Sequence, residues 1–200
     1  YSLVAGGTGV VRSNGVSAVS GNNAICDWVL VELRQPGSPY TVLATRTALV
    51  QRDGDVVGFD GASPVTFDAA PGNYTVSIRH RDHLGVMTAN AVALSSAPAA
   101  IDFTDPATAT YGTSAQKQIG TKMVLWAGDA TGEGTLKYTG SGNDRDPILI
   151  AVGNTTPNNT VSNVYDRKDT NLDGVIKYTG TANDRDIILT NVGSTTPNNT

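Results

Sequence analysis

The chain has almost no cysteine, few aromatic residues, little charge and no long apolar run, and each shortage excludes something. Cys26 is the single cysteine in 200 residues, so an internal disulfide is ruled out and stability has to come from packing or from bound metal. Aromatic residues make up 6% and charged residues 16% of the chain. Lys and Arg do not cluster, the net charge is −4 and the pI is near 5.0, which argues against a phosphate-binding surface and against nucleic acid as a partner. No apolar stretch approaches the roughly eighteen residues of a membrane span, so membrane insertion is not expected.

What is abundant is glycine, with 22 residues, alongside much Thr, Asn, Ser and Ala. That profile fits an all-β or loop-rich extracellular protein better than a helical enzyme. Calcium is plentiful outside cells, where weak extracellular-type sites fill readily. The start at Tyr1 fits a mature secreted form after signal removal, or a piece of something longer.

The last eighty or so residues carry one unit written twice. Residues 129–160 and 169–200 align at a constant offset of forty, with 20 of 32 positions identical. Both copies contain Lys-Tyr-Thr-Gly, then Asn-Asp-Arg-Asp, and close on Thr-Thr-Pro-Asn-Asn-Thr. In the second copy Asp169, Asn171 and Asp173 stand at positions 1, 3 and 5 of a loop, with Gly174 at position 6. A hard cation wants several oxygens at about 2.3–2.6 Å, and alternate side chains of a tight loop converge on one point if a glycine permits the turn. The Val175 carbonyl is the next expected ligand.

A later carboxylate has to close the sphere. An EF-hand loop places it at position 12, but here that position is Gly180 and the acids come at Asp184 and Asp186. The loop therefore reads as expanded by about four residues. A short apolar run follows, suited to one or two helical turns. In the first copy Pro147 follows Asp146, and proline favours the first helical position. Asp146 then reads as a helix N-cap and Asp144 and Asp184 as the closing ligands, with the alternative that one Asp both caps and coordinates.

Two calcium loops, each followed by a helix, resemble the dockerin type I module over residues 123–200, most specifically in Asp-x-Asn-x-Asp-Gly of the second copy. The resemblance implies two calcium ions in a pseudo-symmetric pair. Carried over by position, the ligands are Asp169, Asn171, Asp173 and the Val175 carbonyl in one copy, and Asp129, Thr131, Glu133 and the Thr135 carbonyl in the other. The loops are longer and the helices shorter than in that family, and Thr131 and Glu133 replace the usual Asn and Asp. Tyr138-Thr139 and Tyr178-Thr179 fall where dockerins present recognition residues in duplicate.

Ahead of the repeats the chain reads as short strands. Residues 27–34 place Val29, Val31 and Leu33 on one face, residues 40–52 form a long β-branched run, and Asp53-Gly54 marks a tight turn. Strands are also expected at 56–59, 64–67, 73–79, 86–89, 91–94 and 100–103. Seven or eight short strands at this spacing predict a β-sandwich, and Pro71-Gly72-Asn73-Tyr74-Thr75-Val76 resembles a strand of immunoglobulin-like, transthyretin-like and collagen-adhesin B-type sandwiches of secreted bacterial proteins. The expected organisation is an extension over 1–24, a sandwich over 25–103, a connector over 104–122 and the calcium repeats over 123–200, as 123–160 and 163–200. The fold class is mainly β, a sandwich followed by a small loop-helix domain of two pseudo-symmetric units.

Catalysis is not expected. Both histidines lie in Arg79-His80-Arg81-Asp82-His83, and on a strand positions 80 and 83 point to opposite faces and cannot share an ion unless the strand ends between them. No nucleophile-elbow or phosphate-loop motif is present. Asn73, Asn154, Asn158 and Asn198 lie in Asn-x-Ser/Thr sequons, and Thr155-Thr156 and Thr195-Thr196 adjoin proline, so glycan decoration is a candidate modification.

Three functions fit these residues. One is a non-catalytic, calcium-stabilised structural or adhesive protein of a bacterial surface, a repeating subunit of a fibre or stalk. There residues 1–14 add a strand to a neighbouring copy. Another is an anchoring module that docks onto a cohesin-like receptor. The third is an accessory carbohydrate-binding region of a larger secreted enzyme, for which Trp28 reads as an exposed platform and Trp126 as core.

Overall fold

The computed structural model describes residues 19–199; the expectation of a strand within residues 1–14 lies outside them. The described chain is mainly β, with antiparallel sheets and two short helices. Among the described residues no helix is long and apolar enough to cross a membrane. The chain divides into two compact units. One holds the residues up to His80 together with Val86–Val124, the other Arg81–Gly85 together with the chain from Leu125.

In the first unit, β1 (Ile25–Arg34), β2 (Val42–Gln51), β3 (Val56–Val57), β4 (Gly72–Arg79), β5 (Val86–Met87) and β6 (Val92–Leu94) join in one antiparallel sheet. Its order is β3-β2-β1-β4-β5, with β6 also on β4. Alternation sets the faces: Val29, Val31 and Leu33 of β1 meet Ala48 of β2 and Val76 of β4 in one buried cluster. Val65, Phe67, Leu94 and Ile101 pack over that cluster. Residues 64–67 and 100–103 are not strands, apart from a single bridge of Pro64 to Val57. Trp28 points to the opposite face, where it is 3% exposed, packs with Leu49 and Val57, and meets the Phe59 ring at 5.7 Å. The expectation of an exposed Trp28 platform is therefore corrected: Phe59, from the loop after β3, covers it. Residues 104–124 belong to this unit and end in a hairpin of β7 (Lys117–Ile119) and β8 (Lys122–Val124).

The second unit contains both repeats. Helices α1 (Arg145–Ala151) and α2 (Arg185–Asn191) follow the acids, and β9 (Thr160–Ser162) pairs with β10 (Val175–Lys177). Ile148 and Ile188, both fully buried, meet Leu136, Ile176, Val152 and Val192 in one core. Each copy supplies half of it, because neither seven-residue helix has enough apolar surface to bury alone.

The backbone repeats even where side chains differ. Gly132 has φ 75° and its counterpart Leu172 φ 64°; Gly142 has φ 70° and Ala182 φ 55°. The left-handed region disfavours a Cβ, so the second copy carries strain at two places where the first carries glycine. Leu172 is 43% exposed and gives up little packing. Leu172→Asn, whose short polar side chain tolerates this conformation, is expected to stabilise the unit by about 0.5–1 kcal/mol in denaturant unfolding.

Candidate metal centre

Both loops close around two buried aspartates. In the first, Asp129 Oδ1 accepts the Gly132 N–H at 2.7 Å and its Oδ2 accepts the Gly134 N–H at 3.0 Å. Asp144, fully buried, accepts the Thr131 N–H at 3.0 Å through Oδ1 and the Lys137 N–H at 2.9 Å through Oδ2. The Thr131 hydroxyl lies 2.9 Å from Asp144 Oδ1 and 3.3 Å from Asp129 Oδ1, joining the pair.

The second loop repeats the plan. Asp169 accepts the Asp173 and Gly174 N–H groups at 3.0 Å each, and the Asp173 N–H is shared with Asn171 Oδ1 at 3.0 Å. Asp184 accepts the Thr170 N–H at 2.8 Å, the Asn171 N–H at 3.3 Å and the Lys177 N–H at 2.7 Å. Gly134 (φ 83°) and Gly174 (φ 81°) permit the turn that aims these amides inward.

The other predicted ligands are placed differently. Glu133 bonds the Thr135 hydroxyl at 3.2 Å and Lys137 Nζ at 3.5 Å. Thr135 and Val175 hold corresponding places after the turn, Val175 opening β10 and giving its N–H to Asp173 Oδ1 at 2.9 Å. Asp146 and Asp186 are turned out of the loops. The Asp146 N–H bonds Asn143 Oδ1 at 2.9 Å and its carboxylate accepts Asn143 Nδ2 at 2.8 Å; Asn183 and Asp186 do the same at 3.1 and 2.8 Å. The helices are entered through Asp144 and Asp184, and the Asn143 and Asn183 side chains hold their first turns, which corrects the reading of Asp146 as the cap. The reciprocal bond resembles a capping box and fixes which acid faces the loop. Pro147 sits in the first turn, where its missing N–H costs no helical bond.

Burial pushes the Asp144 and Asp169 carboxyls above the ordinary value of 3.8 and carries Asp184 to about 6. Loop N–H groups oppose the rise, and the neighbouring aspartate in each loop adds to it for Asp144 and Asp184. A carboxyl whose folded pKa lies above its unfolded one stabilises the fold fully below about pH 4, and that stability fades as pH climbs to about 6. Metal-free protein should therefore lose stability in its second unit between about pH 4 and 6. Calcium bound by these acids would reverse the sign, because protons and metal would compete for the same oxygens. Melting curves across that range with and without calcium test the reversal.

The sequence did not point to Arg81–Gly85 as part of this centre. The Asp82 carbonyl accepts the Gly128 and Asp129 N–H groups at 2.8 and 2.9 Å, holding the first loop's entrance. The Arg81 guanidinium bonds the Asp166 carbonyl, stands 4.3 Å over the Tyr165 ring and lies 3.8 Å from Asp169 Oδ2. The available signal was charge density: all the residues from Arg79 to His83 except Asp82 are basic types, in a chain poor in charge. β4 ends at Arg79, so His80 and His83 lie past the strand and are not held to its opposite faces. Among the described residues neither Asp129, Glu133 and Asp144 nor Asp169, Asp173 and Asp184 bring three carboxylate oxygens within 4.8 Å of one another, the acids being spread over backbone amides.

The Lys-Tyr-Thr-Gly segments are half-buried rather than bulging outward. The Thr139 hydroxyl is shared between the Pro197 carbonyl at 3.1 Å and Asn198 Oδ1 at 2.8 Å. Thr179 reaches Pro157 and Asn158 of the first copy at 3.1 and 2.9 Å. Each copy's closing hexapeptide thus clasps the other copy's loop. Tyr138 and Tyr178 pack on the shared core beneath Arg145 and Arg185, at 5.3 and 5.0 Å. Comparison with protein families, with curated proteins and with solved structures gives no match, so function has to be argued from this geometry.

Proposed function

We propose that the protein is a non-catalytic, calcium-stabilised structural or adhesive subunit of an extracellular bacterial fibre or stalk. In finer terms, its first unit is an immunoglobulin-like or transthyretin-like sandwich and its second a dockerin-like pair of calcium repeats. The observation that carries this reading is the matched pair of loops, each burying two aspartates in a unit with a small apolar core. Around the first loop Asp129, Glu133 and Asp144 meet two cations, Lys137 near Glu133 and Arg167 on the Thr131 carbonyl; around the second Asp169, Asp173 and Asp184 meet Arg81 and Lys177. Three carboxylates against two cations leave each loop with an excess of negative charge.

The chemistry of the donors suits calcium, all of them being oxygen. A carboxylate offers about four lone-pair directions, and the bonds described occupy two or three on each buried aspartate, leaving oxygen to coordinate a hard cation. Asp129, Asp144, Asp169 and Asp184 would hold the two ions, with Thr131, Asn171 and Asp173 beside them. Bound calcium supplies charge neutralisation and rigidity and no bond-making chemistry. Partners are further copies of the chain, joined through residues 1–14.

Native mass spectrometry and electron microscopy of purified protein, with and without calcium, test the reading. Two calcium ions per chain and regular filaments that vanish on deleting residues 1–14 are expected; metal-free monomers with an intact terminus count against it. Docking onto a cohesin-like receptor is the second reading, favoured by the duplicated Tyr138–Arg145 and Tyr178–Arg185 pairs. It predicts a one-to-one complex weakened by Tyr→Ala at both positions.

A further inference from the structure

The cations around the two loops differ in burial. At the first loop they stand at the rim. Arg167 is exposed and donates to the Thr131 carbonyl at 3.0 Å, so close over Gly132 that a side chain there would collide with it. Lys137 meets Glu133 at 3.5 Å, with the two side chains 30% and 40% exposed. At the second loop Lys177 likewise reaches outward, to the Thr181 carbonyl at 2.7 Å. Arg81 is the exception: its side chain is 6% exposed and that of Asp169, 3.8 Å away, is 2% exposed.

Three partners seat that guanidinium. Its Nη1 donates to the Asp166 carbonyl, its plane lies 4.3 Å over the Tyr165 ring, and its Nη2 faces Asp169 Oδ2. The seat belongs to the second copy. Forty residues earlier Leu125-Trp126 stand in place of Tyr165-Asp166, and the Trp126 carbonyl accepts the Leu84 N–H at 2.8 Å instead of a guanidinium. Water and salt screen charges at the rim, whereas two charges buried side by side act on each other with little screening. A guanidinium also keeps its proton at any pH the fold survives, so the charge beside Asp169 is permanent.

We propose that Arg81 and calcium are alternative counter-cations of Asp169, so that Arg81 steadies the second loop without metal and lowers that loop's affinity for calcium. The proposal rests on the calcium reading and names the residue that sets the affinity of one of its two sites. A divalent cation arriving at Asp169 meets a like charge that the ring and the carbonyl hold in place. Removing Arg81 lifts that repulsion and leaves a buried carboxylate without its guanidinium, which destabilises the loop until metal takes over. The two effects are linked: what Arg81 takes from calcium affinity, bound calcium takes from the stability Arg81 contributes.

Calcium titration calorimetry on the full chain compares the wild type with Arg81→Gln, which keeps an N–H donor for the Asp166 carbonyl and removes the charge. The affinity of the second loop is expected to rise about tenfold or more and that of the first to stay unchanged. Asp144→Asn and Asp184→Asn assign the two binding steps to their loops. In chelator Arg81→Gln is expected to lower the melting temperature of the second unit, and saturating calcium to shrink that deficit. A purely structural role for Arg81 gives the same deficit in both conditions. Arg81→Met, whose stem still covers Tyr165, repeats both measurements if the Gln variant folds poorly. Equal calcium affinity in the wild type and the variants, or a deficit that calcium leaves unchanged, overturns this inference while the calcium reading stands. A wild type and variants that all take up no calcium remove the two together.

Discussion

Chelation of calcium is expected to lower the melting temperature of the second unit by about 15 °C or more while leaving that of the first nearly unchanged. A ligand present at a thousandfold excess over its Kd stabilises by about 4 kcal/mol per site. In a unit of fewer than a hundred residues each kcal/mol moves the midpoint by about 4–8 °C. The second unit is sensitive because its helices are seven residues long and its core is shared between two small repeats. The first has strands of ten, ten and eight residues packed on an apolar cluster. Differential scanning calorimetry with and without chelator measures both transitions. An identical trace in chelator would refute calcium binding and return the loops to the status of hydrogen-bonded turns.

Replacement of Asp184 separates the two roles of the loop acids. Asp184→Ala strips partners from three backbone N–H groups inside the loop. Each buried donor left unpaired costs about 1–3 kcal/mol, so a loss of about 3 kcal/mol or more is expected with or without metal. Asp184→Asn keeps an oxygen acceptor and removes the charge. Burial and the Asp169 charge already raise this carboxyl to about 6, so in metal-free protein near neutral pH the Asn variant should be much less harmful than the Ala variant. With calcium it should weaken binding at the second loop at least tenfold by titration calorimetry. Equal damage from Asn and Ala in chelator, or unchanged calcium affinity in Asp184→Asn, would contradict this division. Asp144→Asn is expected to act in the same way on the first loop.

The β-rich class, the forty-residue repeat, the two short helices and the apolar face of β1 were legible in the residues. Each depends on a local or periodic property: alternation at Val29, Val31 and Leu33, turn chemistry at Asp53-Gly54, and the identity of two copies. The choice between Asp144 and Asp146 was not legible, because Asn143 decides it through a reciprocal bond that either acid could have made on paper. Trp28 was misread for a similar reason. Its strand position sends it away from the main apolar cluster, and only the path of the chain after β3 brings Phe59 over it.

Sequence alone determined that two equivalent acidic loops exist and that each is followed by a turn or two of helix, since backbone preferences and spacing are written along the chain. Tertiary structure decided that each copy's Thr-Thr-Pro-Asn-Asn closes on the other copy and that Arg81 and Asp82 are brought to the loops from a segment between β4 and β5. Those outcomes depend on contacts between residues far apart in the chain, such as Thr139 with Asn198 and Arg81 with Asp169. Such contacts arise from burying a shared core, and no local pattern records which distant residue will meet which.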